Sequence, residues 1–231
     1  MRKVAIFVEG MTEQELVVSL VSELVGNKNV HFEYGRQWKG KVSITAKTQM
    51  ACTRFYVLII DCMGDEQVKT QIRDQYTTLV AAGYTSIIGL RDVFPLDRAK
   101  IPQIQKMLSN GLPSGAVTPN IHLAIMEVEA WFLGEITHFI RIDKTLTVAF
   151  IVSNGFDIET QSAESWCHPT AVLDSIYKLG ATHYLDKNGK KKKRRVAKTI
   201  KALSFEELYV NLRFRLPGLN GFITSIENAL F

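Results

Sequence analysis

Residues 4–13 read VAIFVEGMTE, and this stretch decides the fold. Val4–Val8 is a continuous apolar run, partly β-branched, which predicts a strand buried on both faces. Glu9-Gly10 then breaks the run as a tight turn. Thr12 precedes Glu15 by a capping-box spacing, and Leu16, Leu20, Val21, Leu24 and Val25 follow at helical intervals. Residues 12–25 are therefore expected to form an amphipathic helix that starts just past Glu9. A buried strand feeding directly into a helix is how a parallel α/β sheet begins.

The same pattern recurs further along. Phe55–Ile60 is the strongest strand signal in the chain and ends in Asp61. Glu66–Ala82 follows with Val68, Ile72, Tyr76, Leu79 and Val80 on one helical face, and Gly83 supplies a stop. Thr85–Leu90 predicts a third apolar strand, closed by Arg91-Asp92. A short helix is expected near Ile101–Leu108, and a further strand over Asn120–Met126 runs into Glu127-Val128-Glu129. Val30–Tyr34 and Val42–Thr45 are weaker strands, and GRQWKG at 35–40 reads as a loop. Alternating strands and helices imply parallel pairing, so the expected class is α/β with a mostly parallel sheet flanked by helices.

After Leu133 the pattern turns helical, over Ala171–Leu179, Ser204–Arg215 and Leu219–Leu230, with Ser204 and Glu207 at a second capping-box spacing. The expected division is an α/β domain over 1–133 and a mostly helical extension over 134–231 that carries a basic loop at 186–201.

A chain of 231 residues with 46% hydrophobic content can bury a core without disulfides. Its three cysteines, Cys52, Cys62 and Cys167, form no C-x-x-C pair, which argues against a structural zinc site. The odd count and the lack of a signal-peptide pattern predict a cytoplasmic protein. No apolar run approaches the roughly 18 residues of a membrane span. Net charge is +5, and nine of the 28 Lys and Arg residues lie within 187–201.

Each strong strand ends in an acid: Glu9, Asp61, Asp92, and Glu127 with Glu129. In parallel sheets ligands bind beyond the carboxyl ends of strands, so these carboxylates are candidates to converge. Mg²⁺ prefers oxygen ligands, commonly one or two carboxylates completed by water and substrate phosphates. Such a cluster would serve metal-dependent phosphoryl transfer. The alternative is that acids at exposed strand ends are simply solvated. Glu13 sits where it would complement the helix dipole. Trp131, Phe132 and Leu133 have the spacing of core residues. Cys167-His168 precedes a helix, but adjacent side chains rarely face each other, which weighs against a nucleophile pair.

VEGMTE at Val8–Glu13 and IIDCMGDE at Ile59–Glu66 resemble the two acidic motifs of the Toprim fold, an apolar strand followed by Glu-Gly and another followed by Asp-x-Asp. Gly40-Lys41, IMEVEAWFLGE at Ile125–Glu135 and Ser204-Phe205-Glu206 extend the similarity to a family of small bacterial Toprim-like proteins related to OLD-type nucleases. The resemblance implies that Glu9 is an acid/base or metal ligand and that Asp61 is the first aspartate of Asp-x-Asp. Met63 stands at the second aspartate, where it cannot bind Mg²⁺, and Asp65 is a possible substitute. Glu127 and Glu129 match later metal-binding acids. Mg²⁺ or Mn²⁺, and an ATPase partner in a phage-defence setting, are implied in the same way.

Asp186–Lys201 reads DKNGKKKKRRVAKTIK, with a turn signal at Asn188-Gly189. Lys187, Lys190, Lys191, Lys192, Lys193, Arg194, Arg195 and Lys198 lack interleaved aromatics, which favours contact with a phosphate backbone over base stacking. Alternatively, the run serves solubility alone. The expected function is a divalent-metal-dependent nuclease, with catalytic Glu9 and Asp61. A second expectation is a catalytically degenerate Toprim module that binds nucleic acid or an ATPase. A small-phosphate hydrolase ranks last, because no Gly-rich phosphate-loop motif is present.

Overall fold

The computed structural model describes the chain apart from residues 27–28, 39–40, 49–52 and 65 and the side chain of Trp38. The protein is an α/β fold. Its strands are β1 (Arg2–Val8), β2 (Val30–Trp38), β3 (Lys41–Lys47), β4 (Phe55–Asp61), β5 (Ser86–Asp92) and β6 (Asn120–Ala124). They form one sheet in the order β3-β2-β4-β1-β5-β6. β1 pairs parallel with β4 and β5, and β4 pairs parallel with β2, while β3 runs antiparallel along β2.

The helices α1 (Met11–Val25), α2 (Gln67–Ala81) and α3 (Ile101–Ser109) connect the strands. Ala5 and Phe7 of β1 and Leu58 and Ile60 of β4 pack with Val68, Ile72 and Leu79 of α2. Their alternates Val4, Ile6, Val8, Val57 and Ile59 are equally buried. A sheet buried on both faces explains why these strands read as unbroken apolar runs.

The chain divides into two compact units. Unit 1 comprises residues 1–92, 97–123 and 221–231; unit 2 comprises 93–96 and 124–220. The Glu127–Leu133 box thus belongs to the second unit, and residues 221–231 to the first. The box forms α4 (Glu129–Gly134), which packs on α7 (Pro169–Leu179) and on the short turn Ala163–Ser165. Unit 2 also holds α5 (His138–Ile142), α6 (Val148–Ser153) and α8 (Lys193–Ala202). The last helix, α9 (Pro217–Leu230), starts in unit 2 and returns to unit 1 from Gly221, where Phe222, Ile223 and Ile226 are buried.

Several local expectations are corrected. GRQWKG does not begin as a loop, because β2 continues through Gly35 to Trp38. A β-bulge falls at Tyr34/Gly35, and a Cβ on Gly35 would lie 2.9 Å from Val42 and 3.2 Å from Ile60. Glycine is therefore needed there for close strand packing, and a glycine that looks like a loop marker is a bulge. Thr12 does not cap α1. The cap is Gly10, and Thr12 is buried within the first turn. The strand expected over Asn120–Met126 ends at Ala124.

The basic loop expected at 186–201 has two parts. Leu185 and Lys191 bridge antiparallel around the Asn188-Gly189 turn, with Gly189 at φ 70°. The second half is helical, because Val196, Thr199 and Ile200 share a buried face among the charges. Ser204–Arg215 is not one regular helix. It breaks into a wide turn over Glu207–Asn211 and a tight one over Leu212–Phe214. The second capping signal holds, with the Glu207 N–H donating to Ser204 Oγ at 3.2 Å.

Candidate functional site

The register of unit 1 aligns Val8 with Asp61 and Val8 with Leu90. Glu9 therefore emerges at the end of β1 between the ends of β4 and β5. The Asp92 N–H donates to Glu9 Oε2 at 3.1 Å, which orients that carboxylate. After β4 the chain folds back over Glu9, with Cys62 N donating to the Val8 carbonyl at 2.9 Å and Gly64 N to the Glu9 carbonyl at 3.0 Å. This return requires φ 60° at Met63 and φ 144° at Gly64. Both carboxylates act on the Cys62 thiol. Burial pushes the Cys62 thiol up, and the charges of Asp61 and Glu9 push it further.

Asp61 is held from two sides. Its Oδ1 accepts from Met63 N at 2.9 Å, and its Oδ2 accepts from Arg36 Nη2 at 2.8 Å. Arg36 is the residue aligned with Asp61 across β2 and β4. It lay inside the stretch that reads as a loop, so its role is not visible from spacing alone. Gly35, packed under the bulge, is the local feature that marks the strand continuing to it.

Among the described residues, no group of three or more His, Cys, Asp or Glu side chains could hold a metal ion. Asp65 and Gly40 lie outside the described residues. Glu9 and Asp61 would offer Mg²⁺ or Mn²⁺ carboxylate oxygens and leave positions for water and phosphate. At Asp61 a cation would share the carboxylate with Arg36 or displace it.

Unit 2 holds Glu127 and Glu129. Glu127 Oε2 accepts from the Thr170 N–H at 2.8 Å, in the first turn of α7, where a carboxylate satisfies an orphan donor and complements the dipole. Glu129 is fully buried. Its Oε1 accepts from Tyr184 Oη at 2.6 Å and pairs with Lys191 Nζ at 2.7 Å. Its Oε2 has no hydrogen-bond partner among the described residues. Trp131, Phe132 and Leu133 are core, as their spacing predicts.

Glu135, the last acid of the box, is a residue that sequence reasoning quoted without assigning. Its Oε1 accepts from Thr137 N and Oγ1, and its Oε2 accepts from Ser204 N at 3.0 Å and Arg141 Nη2 at 3.0 Å. Burial raises its pKa against these lowering donors. The bond to Ser204 joins the EVEAWFLGE box to the Ser-Phe-Glu segment, which gives their co-occurrence a structural reason. Behind it, His138 bonds the Glu135 carbonyl at 2.6 Å and Tyr177 Oη at 3.0 Å, and burial lowers its pKa to about 4.

The basic residues separate into classes. Lys191 is engaged with Glu129, and Lys192 pairs with Asp186 at 3.1 Å. Lys187 and Lys190 are exposed on the hairpin. Lys193, Arg194, Arg195 and Lys198 lie on α8, where Arg195 donates to the Leu185 carbonyl. No helix among the described residues is long and apolar enough to cross a membrane.

No family model matches the chain, and no curated protein does. One solved structure is similar at 9% identity and a TM-score of 0.31, a Lactobacillus plantarum WCFS1 protein named as a cell surface hydrolase. The match covers 60% of this chain and 57% of that one.

Proposed function

We propose that this protein is a Toprim-like, divalent-metal-dependent nuclease that acts in the cytoplasm. The observation that carries the reading is that Glu9 and Asp61 stand at the carboxyl ends of adjacent parallel strands, with Asp61 in register with Val8. Gly10 adds support. Its φ of −164° suits any residue, and among the described residues a Cβ there would meet only Glu13 at an ordinary 3.5 Å. Neither conformation nor packing calls for glycine, whereas close approach of a phosphate to the helix start would.

A bound Mg²⁺ or Mn²⁺ would stabilise charge on a phosphodiester and lower the pKa of an attacking water. Glu9, oriented by the Asp92 N–H, is placed to ligate the ion or accept that water's proton. Asp61 supplies the second carboxylate, and Arg36 beside it can neutralise phosphate charge. Glu127 and Glu129 already have protein partners within unit 2. The basic residues of the hairpin and α8 would hold the nucleic-acid backbone. An ATPase partner fits the resemblance.

The test is cleavage of plasmid DNA and of RNA with Mg²⁺ or Mn²⁺ by the wild type, Glu9→Ala and Asp61→Ala. Each substitution should lower the rate by about a hundredfold or more, the usual scale for removing an acid/base group. Equal rates in all three proteins would remove both residues from the mechanism.

A second reading is a non-catalytic Toprim module, favoured by Met63 at the second aspartate position and by Arg36 already paired with Asp61. Met63→Asp separates the two. Aspartate tolerates a φ of 60° better than methionine does. On the nuclease reading this substitution tightens Mn²⁺ binding in calorimetry and raises the cleavage rate. A module would stay inert.

A further inference from the structure

Within unit 2, Tyr177, Ala181, Thr182 and His183 face the N-terminal half of α8 across a groove. Its volume is about 490 Å³, within the range of small-ligand sites. Arg194, Arg195 and Lys198 line one side, and the Thr199 hydroxyl accepts from Tyr177 Oη at its floor.

The charge arrangement here is unfavourable without a ligand. α8 opens with Lys193, Arg194 and Arg195, has no acid in its first turn and no side-chain cap. Cations at a helix N-terminus oppose the macrodipole. Arg194 and Lys198 are four residues apart on one face, a like-charge spacing that also destabilises. Asp143 feels the charge of Lys198. Its carboxylate is taken up by Thr145 N and Oγ1 and by Ala181 N, and these bonds, chiefly those of Thr145, hold it anionic. That carboxylate is a single charge against the Arg194 and Lys198 pair.

We infer that this groove is a phosphate-binding site, with Arg194 and Lys198 as its principal cations and the Thr182 hydroxyl and His183 ring at its edge. The inference rests on the nucleic-acid reading for the class of ligand, but it requires no cleavage. It sets Arg194 and Lys198 apart from Lys187 and Lys190, which an undirected basic tract would make equivalent. The phosphate could belong to a free nucleotide or to a nucleic-acid backbone, and both present the same anionic oxygens.

The experiment uses the full chain in EDTA. Binding of a short fluorescein-labelled oligodeoxynucleotide is followed by anisotropy, and binding of AMP by calorimetry. Arg194→Ala with Lys198→Ala should weaken binding of at least one probe about tenfold, the scale of a lost charge-assisted hydrogen bond. Lys187→Ala with Lys190→Ala should weaken oligonucleotide binding less than the groove pair does and leave AMP binding unchanged. All four positions are exposed, and an unchanged melting temperature verifies folding. Loss shared by AMP identifies a nucleotide phosphate, and loss confined to the oligonucleotide identifies a backbone phosphate. Equal weakening by the two double variants, no weakening by the groove pair, or no binding of either probe would overturn the site. Groove-dependent binding without Mg²⁺-dependent cleavage would instead sink the nuclease reading and leave the site standing.

Discussion

Asp61 and Glu129 each hold a cation at nearly the same distance, Arg36 at 2.8 Å and Lys191 at 2.7 Å. What separates the two pairs is water. The Asp61 and Arg36 side chains retain 10% and 53% of their exposure, whereas Glu129 retains none and Lys191 29%. An exposed guanidinium can leave its carboxylate for a phosphate and be replaced by solvent or an ion. A buried carboxylate whose second oxygen has no hydrogen-bond partner among the described residues depends on its ammonium. Similar ion-pair geometry therefore yields an exchangeable charge on the sheet rim and a structural one in the helical unit.

The largest test of that contrast is Lys191→Met. It strands a buried carboxylate, and breaking such a pair typically costs about 3–5 kcal/mol. Adding Glu129→Gln should restore most of the loss, because the uncompensated charge is then gone. Urea denaturation of the single and double variants measures both steps. A loss below about 1 kcal/mol for Lys191→Met would place Glu129 in the same class as Asp61.

The next effect asks whether burial, rather than the unit, sets the behaviour. Unit 1 has its own half-buried base in His122, which lies against Ser225 Oγ at 2.7 Å and Asn120 Nδ2 at 3.1 Å. Burial lowers its pKa from 6.5 to about 4. As pH falls, the unfolded chain takes up this proton first, so stability present above pH 6.5 is lost on the way to about pH 4. The loss is on the order of 2 kcal/mol, given about 1.4 kcal/mol per unit and incomplete burial. In His122→Gln the urea midpoint should fall less steeply over that range than in the wild type. Parallel curves would show that His122 is not held neutral.

The smallest expected change is Arg36→Ala. Removing a half-exposed partner should alter stability by no more than about 1 kcal/mol. On the nuclease reading it should also tighten Mn²⁺ binding, since the ion no longer competes with the guanidinium. Calorimetry and urea denaturation on the same protein read both. A loss as large as that of Lys191→Met would erase the distinction between the two carboxylates.

Much of unit 1 was legible because its strands are buried on both faces and so read as plain apolar runs. Val4–Val8 and Phe55–Ile60 fall within β1 and β4, and the acids after them stand on one rim. The failures came where one residue type serves two conformations. Gly35 looks like a loop and is a bulge. The lysines and arginines of 190–195 mask Val196 and Ile200, whose spacing marks the buried face of α8. Thr12 has the spacing of a cap, yet Gly10 takes that place and Thr12 turns inward.

The candidate site was readable to the same degree. Glu9 and Asp61 follow from strand ends and parallel pairing. Arg36, Tyr184 and Lys191 do not, because their partners are 25, 55 and 62 residues away and no local pattern encodes such a distance.

From sequence alone come the α/β class, the main strands and helices, and which carboxylates stand at strand ends, because periodic burial and turn chemistry are local properties. The tertiary structure alone decides which of those carboxylates stay in contact with water and which are sealed around a lysine. Burial depends on what the rest of the chain packs above a residue, and that sum over distant segments is not written at any one position.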